Sequence, residues 1–252
     1  MGTISLFVTP DNTIYIDNGN TNGILNRFTL NRSSGIDIVY INASCYGLFV
    51  DTNNDLYCSI HGRHQVFKNS LSNSTHISTT VAGTGYEGFK SDMLSQPCGI
   101  FVDSNCYLYV ADAGNNRIQR FTPGLKKATT VAGDSTINAT IKLRSPTGII
   151  LDFDGNYFIV DSKNNRIVGS GPNGFRCLVG CSGGPGGSNK LSSPYTLSFD
   201  SFGNMFVTDK GNHRIQKFLS ANSCSKYLRI FFFSNLNTLQ RLTEHFSVRL
   251  SL

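Results

Sequence analysis

Three segments of this chain are versions of one another: DAGNNRIQRF at Asp112 to Phe121, DSKNNRIVGS at Asp161 to Ser170 and DKGNHRIQKF at Asp209 to Phe218, at steps of 49 and then 48 residues. A period of that size marks a repeat protein, whose units bury apolar surface against one another rather than each within itself. Ahead of each segment lies an apolar run, a turn and a second apolar run, as in GIFVDSNCYLYVAD from Gly99, GIILDFDGNYFIVD from Gly148 and TLSFDSFGNMFVTD from Thr196. Aligning on the first Asp gives Asp51, Asp103, Asp152 and Asp200, and a worn fifth copy opens the chain with SLFVTPDNTIYIDN, where Thr9 replaces that Asp. Copies therefore start near residues 4, 46, 98, 147 and 195.

Within the third copy the pattern predicts four strands, GIFVD, YLYVAD, RIQRF and TTVAG, each bounded by Gly, Asn, Asp or Pro. Four short antiparallel strands per unit describe one blade of a β-propeller, so the chain is expected to be all-β with five recognisable blades. The segment KYLRIFFF, Lys226 to Phe233, is expected to be the outer strand of the fifth, which puts the propeller at residues 1–233. For the tail at 234–252, the spacing of Leu236, Leu239, Leu242, Phe246 and Leu250 predicts an amphipathic helix capping the array, with a disordered or non-native tail as the alternative.

These units resemble the NHL repeat family. The resemblance rests on Pro97, Gly99, Asp103, Tyr109, Val110, Asp112, Asn115, Arg117, Ile118 and Phe121, and it recurs in Pro146 to Ile167 and in Pro194 to Ile215, with Asn212 and His213 as the name-giving pair. It covers roughly residues 4 to 221 and implies a propeller that in this family has six blades more often than five, so an incomplete six-bladed ring is the alternative to a five-bladed one. The first two copies depart from the pattern, with Gly23 near the Arg position, Ser59 for the second Asp and Cys45 for the Pro.

Composition narrows the function classes. Hydrophobic content of 39% with 15% charged residues is that of a globular chain, and no apolar run reaches the roughly 20 residues that span a bilayer. The start MGTISLFVTP has neither a basic leader nor a small-residue cleavage site, so a soluble, cytoplasmic protein is the favoured reading and no membrane partner is expected. Seven cysteines at no repeating position, without a CxxC pair, indicate neither a disulfide framework nor a zinc site, although Cys177 and Cys181 are close enough to pair in a secreted protein. The sequons at Asn31, Asn42, Asn73 and Asn138 are what chance supplies in a chain this rich in Asn, Ser and Thr.

In the Asp-x-x-Asn-x-Arg turn, Asp112, Asp161 and Asp209 are read as structural. A blade device is needed in every blade, whereas a catalytic residue is needed once. The turn between the second and third strands lies on the same face as the loop linking one blade to the next, and binding is expected there. Candidate binding residues are His61, Arg63, Asn116, Arg117, Lys163, Arg166, Lys210, His213 and Arg214; provided the arginines are not used internally, the face is basic, in keeping with the formal net charge of +6. The glycine-rich CSGGPGGSN at Cys181 to Asn189 lacks the Lys-Ser/Thr end of a phosphate loop and aligns with GTGYEGFKSD at Gly83, so both are read as long linkers suited to contacting a partner.

The functional expectation is a non-catalytic scaffold, monomeric or a module of a larger protein, binding a protein or peptide without cofactor or metal. Two alternatives stand beside it: single-stranded RNA on a basic face, which the resemblance allows, and a metal-dependent lyase or lactonase-like enzyme. The second would need convergence of the scattered His61, His64, His76, His213 and His245, or of Asp51, Asp103, Asp152 and Asp200 at the channel mouth.

Overall fold

The computed structural model describes residues 5–17, 19, 23–29, 36–41, 43–72, 78–133, 141–181, 190–219 and 230–231. Twenty strands form five four-stranded antiparallel sheets, each an up-and-down meander in chain order. Blade 1 holds β1 (Leu6–Val8), β2 (Ile14–Asp17), β3 (Ile24–Phe28) and β4 (Ile36–Tyr40). Blade 2 holds β5 (Gly47–Val50), β6 (Asp55–Ile60), β7 (Gln65–Ser70) and β8 (Ser78–Ala82). Blade 3 holds β9 (Pro97–Val102), β10 (Leu108–Asp112), β11 (Arg117–Phe121) and β12 (Ala128–Gly133). Blade 4 holds β13 (Pro146–Leu151), β14 (Tyr157–Asp161), β15 (Arg166–Gly169) and β16 (Arg176–Val179). Blade 5 holds β17 (Pro194–Phe199), β18 (Met205–Asp209), β19 (Arg214–Phe218) and β20 (Ile230–Phe231). The chain is thus the expected all-β propeller of five blades. Of the expected outer strand at 226–233, Ile230 and Phe231 pair with β19; the rest of it, and the expected helix at 236–250, lie outside the described residues.

Alternating side chains give each blade two apolar faces, and the core is a series of layers between blades. Leu48, Val50, Leu56, Cys58 and Ile60 of blade 2 pack on Tyr15 and Leu25 of blade 1. In the same way Ile100, Val102, Leu108 and Val110 of blade 3 pack on Tyr57 and Val66, Ile149, Ile159 and Val168 of blade 4 on Tyr109, Ala111 and Ile118, and Leu197, Met205 and Val207 of blade 5 on Val160 and Ile167. One face, here face A, always meets the preceding blade, and the other, face B, the following one. Tilted and edge-on aromatic contacts run through the layers, Phe7 to Phe49 at 4.8 Å, Phe49 to Phe101 at 5.3 Å and Tyr109 to Tyr157 at 5.8 Å between centroids.

The inner strands of blades 2, 3 and 4 meet backbone to backbone. A Cβ on Gly99 would sit 2.6 Å from the Thr147 carbonyl oxygen, and one on Gly47 2.5 Å from that of Cys98. Only glycine allows that approach.

At the opposite end of the inner strands, Asp51, Asp103, Asp152 and Asp200 close the turns that follow them. Each Oδ1 accepts two backbone N–H groups of its own turn, those of Asn53 and Asp55, Asn105 and Tyr107, Asp154 and Asn156, and Phe202 and Asn204. Each is therefore an Asx cap of its own turn.

The second Asp series holds the blades to their linkers. Oδ1 of Asp112, Asp161 and Asp209 accepts the backbone N–H of Ser95, Arg144 and Ser192 in the linker ahead of the blade, at 2.6–2.7 Å. Oδ2 accepts the Nδ2 of Asn115, Asn164 or Asn212 and the Nε of Arg117, Arg166 or Arg214. Each guanidinium then donates onward to carbonyls of the same linker: Arg117 to Phe89, Lys90 and Met93, Arg166 to Lys142, and Arg214 to Lys190. The carboxylate therefore serves the linker rather than the backbone of the hairpin loop.

Blade 2 corrects the alignment of the worn copies. The residue ahead of its tight turn, where the other blades have Asp, is Ile60 and not Ser59; the Ser59 hydroxyl instead bonds the carbonyl of Cys98. Cys45, ahead of β5, is disulfide-bonded to Cys58 in β6 with Cα atoms 5.2 Å apart, and its N–H donates to Asp17 Oδ2. The covalent link joins linker to second strand where the other blades use a carboxylate. Cys177 is likewise bonded to Cys181. The absence of a disulfide framework expected from the spacing fails for Cys45 and Cys58 because the meander lays the chain ahead of β5 beside β6, whereas Cys177 and Cys181 make the local pair that their short spacing allows.

Both kinds of clasp have measurable weight. Asp112→Ala leaves Arg117, with 3% of its side chain exposed, as an uncompensated buried charge, and should lower the unfolding free energy by about 3–5 kcal/mol in a urea titration; Asp161→Ala should cost less, because Arg166 is 24% exposed. Reduction of Cys45–Cys58, which closes a separation of 13 residues, should cost about 3 kcal/mol by the same measurement.

Candidate interaction face

The face built by the tight turns and the inter-blade linkers brings the candidate residues together. In blades 2 to 5 the turn between the second and third strands is a single 3-10 turn, His61–Arg63, Ala113–Asn115, Ser162–Asn164 and Lys210–Asn212, followed by one left-handed residue. That residue is His64, Asn116, Asn165 or His213, with φ of 53–54° in all four. Asn tolerates this region well, and the polar side chain has a task in the next blade. Asn116 Oδ1 accepts the N–H of Ser145, Asn165 Oδ1 that of Ser193, and His64 Nδ1 that of Gln96. His64 therefore carries its proton on Nε2 when neutral.

The candidate residues divide by what holds them. Arg117, Arg166 and Arg214 are engaged with their aspartates and linker carbonyls, so the basic character of the face does not come from them. Asn116 is engaged with the linker of blade 4. Exposed at the turn tips are Arg63, Lys163, Lys210 and His213, with His61 half-buried. Lys210 Nζ lies 5.1 Å from the ring centroid of Tyr195, and His61 stacks on Tyr46 at 4.5 Å. Burial pushes the His61 imidazole below the usual histidine range, and neighbouring His64 adds to that effect. His76, His245 and most of the glycine-rich segment, 182–189, lie outside the described residues.

Residues that sequence reasoning did not single out complete the face. The linkers add Lys90, Lys142, Arg144 and Lys190, none of which forms a salt bridge among the described residues. Against them stand Glu87, which accepts a hydrogen bond from Ser95, and Asp92. With Asp112, Asp161 and Asp209 each neutralised by an arginine, the remaining charge is positive. The blade 2 to blade 3 linker also presents Tyr86, 77% exposed, and Phe89, 52% exposed, the latter with the Arg117 guanidinium 4.5 Å over its ring. The signal available for these residues was their place in a long linker, which marks a contact segment but does not say which side chains turn outward.

Among the described residues no three His, Cys, Asp or Glu side chains gather into a cluster able to hold a metal ion, and no helix is long and apolar enough to cross a membrane. The Cys98 thiol, buried next to the Tyr195 phenol, is pushed up to about 11 by burial and by Asp112. A cavity of about 190 Å³ lies between blades 2 and 3 towards the other end, lined by Tyr57, Lys68, Leu108, Phe121 and Leu125. It is small beside the roughly 300–1,000 Å³ of ordinary ligand sites.

No protein-family model matches the chain, and no curated protein matches it in sequence. Solved structures match its fold. A streptogramin B lyase aligns with a TM-score of 0.62 at 16% identity, over 93% of this chain and 70% of that one. The nidogen/laminin complex gives 0.66 at 18% identity, over 90% and 79%. A Bacteroides thetaiotaomicron protein of unknown function gives 0.69 at 15%, over 84% of this chain and 57% of that one. At such identities the likeness establishes the β-propeller fold, which catalytic and binding proteins share.

The environments predict two observable differences. His61 should titrate by NMR below the usual value of 6.5, and because its folded value is depressed, its contribution to stability is present above the unfolded value and lost as the pH falls through the folded one. Mass-spectrometric mapping at neutral pH should find Cys106, partly exposed, alkylated well before buried Cys98.

Proposed function

We propose that this propeller is a non-catalytic interaction scaffold of NHL type that binds an acidic protein or peptide segment across the turn-and-linker face. The observation that carries the reading is the charge left on that face: its repeated acids are sealed under arginines, while Lys90, Lys142, Arg144, Lys163 and Lys210 point outward without a salt-bridge partner among the described residues. Cations so arranged steer an acidic partner and fix its register. Tyr86 and Phe89 supply exposed aromatic area beside them, the kind of side chain that dominates interface energetics. The nidogen/laminin complex is a structural neighbour in which a protein–protein assembly is named, and it supports a binding role without specifying a partner.

A protein or peptide is favoured over single-stranded RNA by the placement of the aromatics. Strand-binding grooves offer successive open rings for bases to stack on, whereas here the exposed rings, Tyr86 and Phe89, are confined to one linker, Tyr46 is stacked on His61 and Tyr195 lies under Lys210.

Fluorescence anisotropy with a labelled Glu/Leu peptide, and an oligouridine as comparator, tests the proposal. The peptide should bind and weaken with salt; Lys163→Glu with Lys210→Glu should lower affinity at least tenfold, and Tyr86→Ala should cost about 1–2 kcal/mol. Thermal stability should hold in both variants. Absence of peptide binding at low salt, or binding of the oligouridine alone, overturns the reading.

A further inference from the structure

At the turn-and-linker end of the inner strands, equivalent positions of four blades draw together. Tyr46, Cys98, Thr147 and Tyr195 each stand directly ahead of the residue at which neighbouring inner strands approach, Gly47, Gly99, Gly148 or Thr196. A Cβ on Gly47 would run into the carbonyl oxygen of Cys98, one on Gly99 into that of Thr147, and one on Gly148 would lie 3.5 Å from the Cα of Thr196. Inner strands of a propeller surround its axis. The four residues therefore gather about that axis, on the face whose turn tips carry Lys163 and Lys210.

Each tyrosine ring is covered by a group from the turn of its own blade: His61 stacks on Tyr46 at 4.5 Å, and Lys210 Nζ lies 5.1 Å from the ring centroid of Tyr195. Burial raises the Tyr195 phenol above its ordinary value, and Cys98 and Tyr46 add to that rise, so groups from blades 2, 3 and 5 act on one another here. The Cys98 thiol bonds the Gln96 carbonyl and the Thr147 hydroxyl that of Pro194. Neither phenol has an acceptor among the described residues. Asp112, the acid that acts on Cys98, is already sealed under Arg117. Two protonated phenols and an ammonium are thus left together with no carboxylate to receive them.

We infer that this axial cluster is the subsite for the free carboxylate at the C-terminal end of the bound segment, with Tyr46 and Tyr195 donating through their hydroxyls and Lys210 supplying the charge. The inference rests on the acidic-segment reading above and names the group that the segment places at the axis. A carboxylate only accepts hydrogen bonds, and those it takes from O–H groups and an ammonium are the charge-assisted, stronger kind. Because the inner strands close on one another, a segment crossing the face meets this point with its end and does not thread between the blades. Fixed donors capturing a terminal carboxylate are a recurrent mode of peptide recognition. The depressed His61 imidazole is neutral at neutral pH, so it supports the Tyr46 ring without adding a second cation.

Fluorescence anisotropy with the Glu/Leu peptide labelled at its N-terminus, in a free-acid and a C-terminally amidated form, tests this on the full chain. The free acid should bind about tenfold more tightly than the amide, the effect of one hydrogen bond to a charged group. Tyr46→Phe and Tyr195→Phe each remove one hydroxyl and keep the ring against His61 or Lys210, so circular dichroism and melting should match the parent. Each should shrink the preference for the acid to about threefold or less. Tyr86→Ala, on the linker, should instead weaken both forms alike and leave their ratio unchanged. Equal binding of the two forms to the parent, or an undiminished ratio when both tyrosines are changed together, overturns the inference and leaves the acidic-segment reading standing, since the amide keeps its glutamates. Binding of neither form overturns both.

Discussion

A buried carboxylate at the end of the second strand, Asp112, Asp161 or Asp209, ties each blade to the chain that leads into it. A four-stranded meander has no core of its own, so its stability comes from the layers on either side, and these form only when neighbouring sheets are held in register. The carboxylate does this with three kinds of donor at once: a linker N–H, an Asn amide and an Arg guanidinium. Burial alone would push Asp209 up, but these donors and the amide of Gln216 outweigh it and hold the group below the usual aspartate value of 3.8. In blade 2, where Ile60 occupies the position, the Cys45–Cys58 bond makes the corresponding tie.

The same clasp decides what the turn face shows to solvent. By drawing the arginines inward it removes both signs of charge from the turn motif and leaves the electrostatics to residues that the motif does not constrain: linker lysines and turn tips such as Lys163 and Lys210. Side chains that differ between blades thereby face outward, and those shared by blades 3, 4 and 5 face the linkers. Glycine at positions 47 and 99 lets the inner strands of blades 2 to 4 close on one another backbone to backbone.

Much of the architecture was legible in the sequence because a propeller writes its period directly into the chain. The motif running from Asp112 to Phe121 in blade 3 located the end of the second strand, the turn and the third strand, and the first-Asp series located the inner turns. What escaped was non-periodic. The partner of Cys45 depends on which strands pair, and the outward side of the Gly83 to Leu94 linker on its path. In the second copy a one-residue offset hid the fact that Ile60, not Ser59, precedes the turn, since both stand in a run where strand and turn signals overlap.

Each linker is gripped at its downstream end from two directions: Ser95, Arg144 and Ser192 by the Asp of the blade they enter, and Gln96, Ser145 and Ser193 by the left-handed residue of the blade they leave. Upstream of those two residues the linkers are still anchored, by the arginine-bonded carbonyls and by buried Leu94, Leu143 and Leu191, and the stretch open to change is the one ahead of these anchors. Because lengthening a loop costs only about 0.6 kcal/mol per doubling, such a stretch can be rewritten or enlarged with little consequence for the sheets beneath it. New recognition can thus be acquired in the connecting segments while the scaffold that displays them stays unchanged.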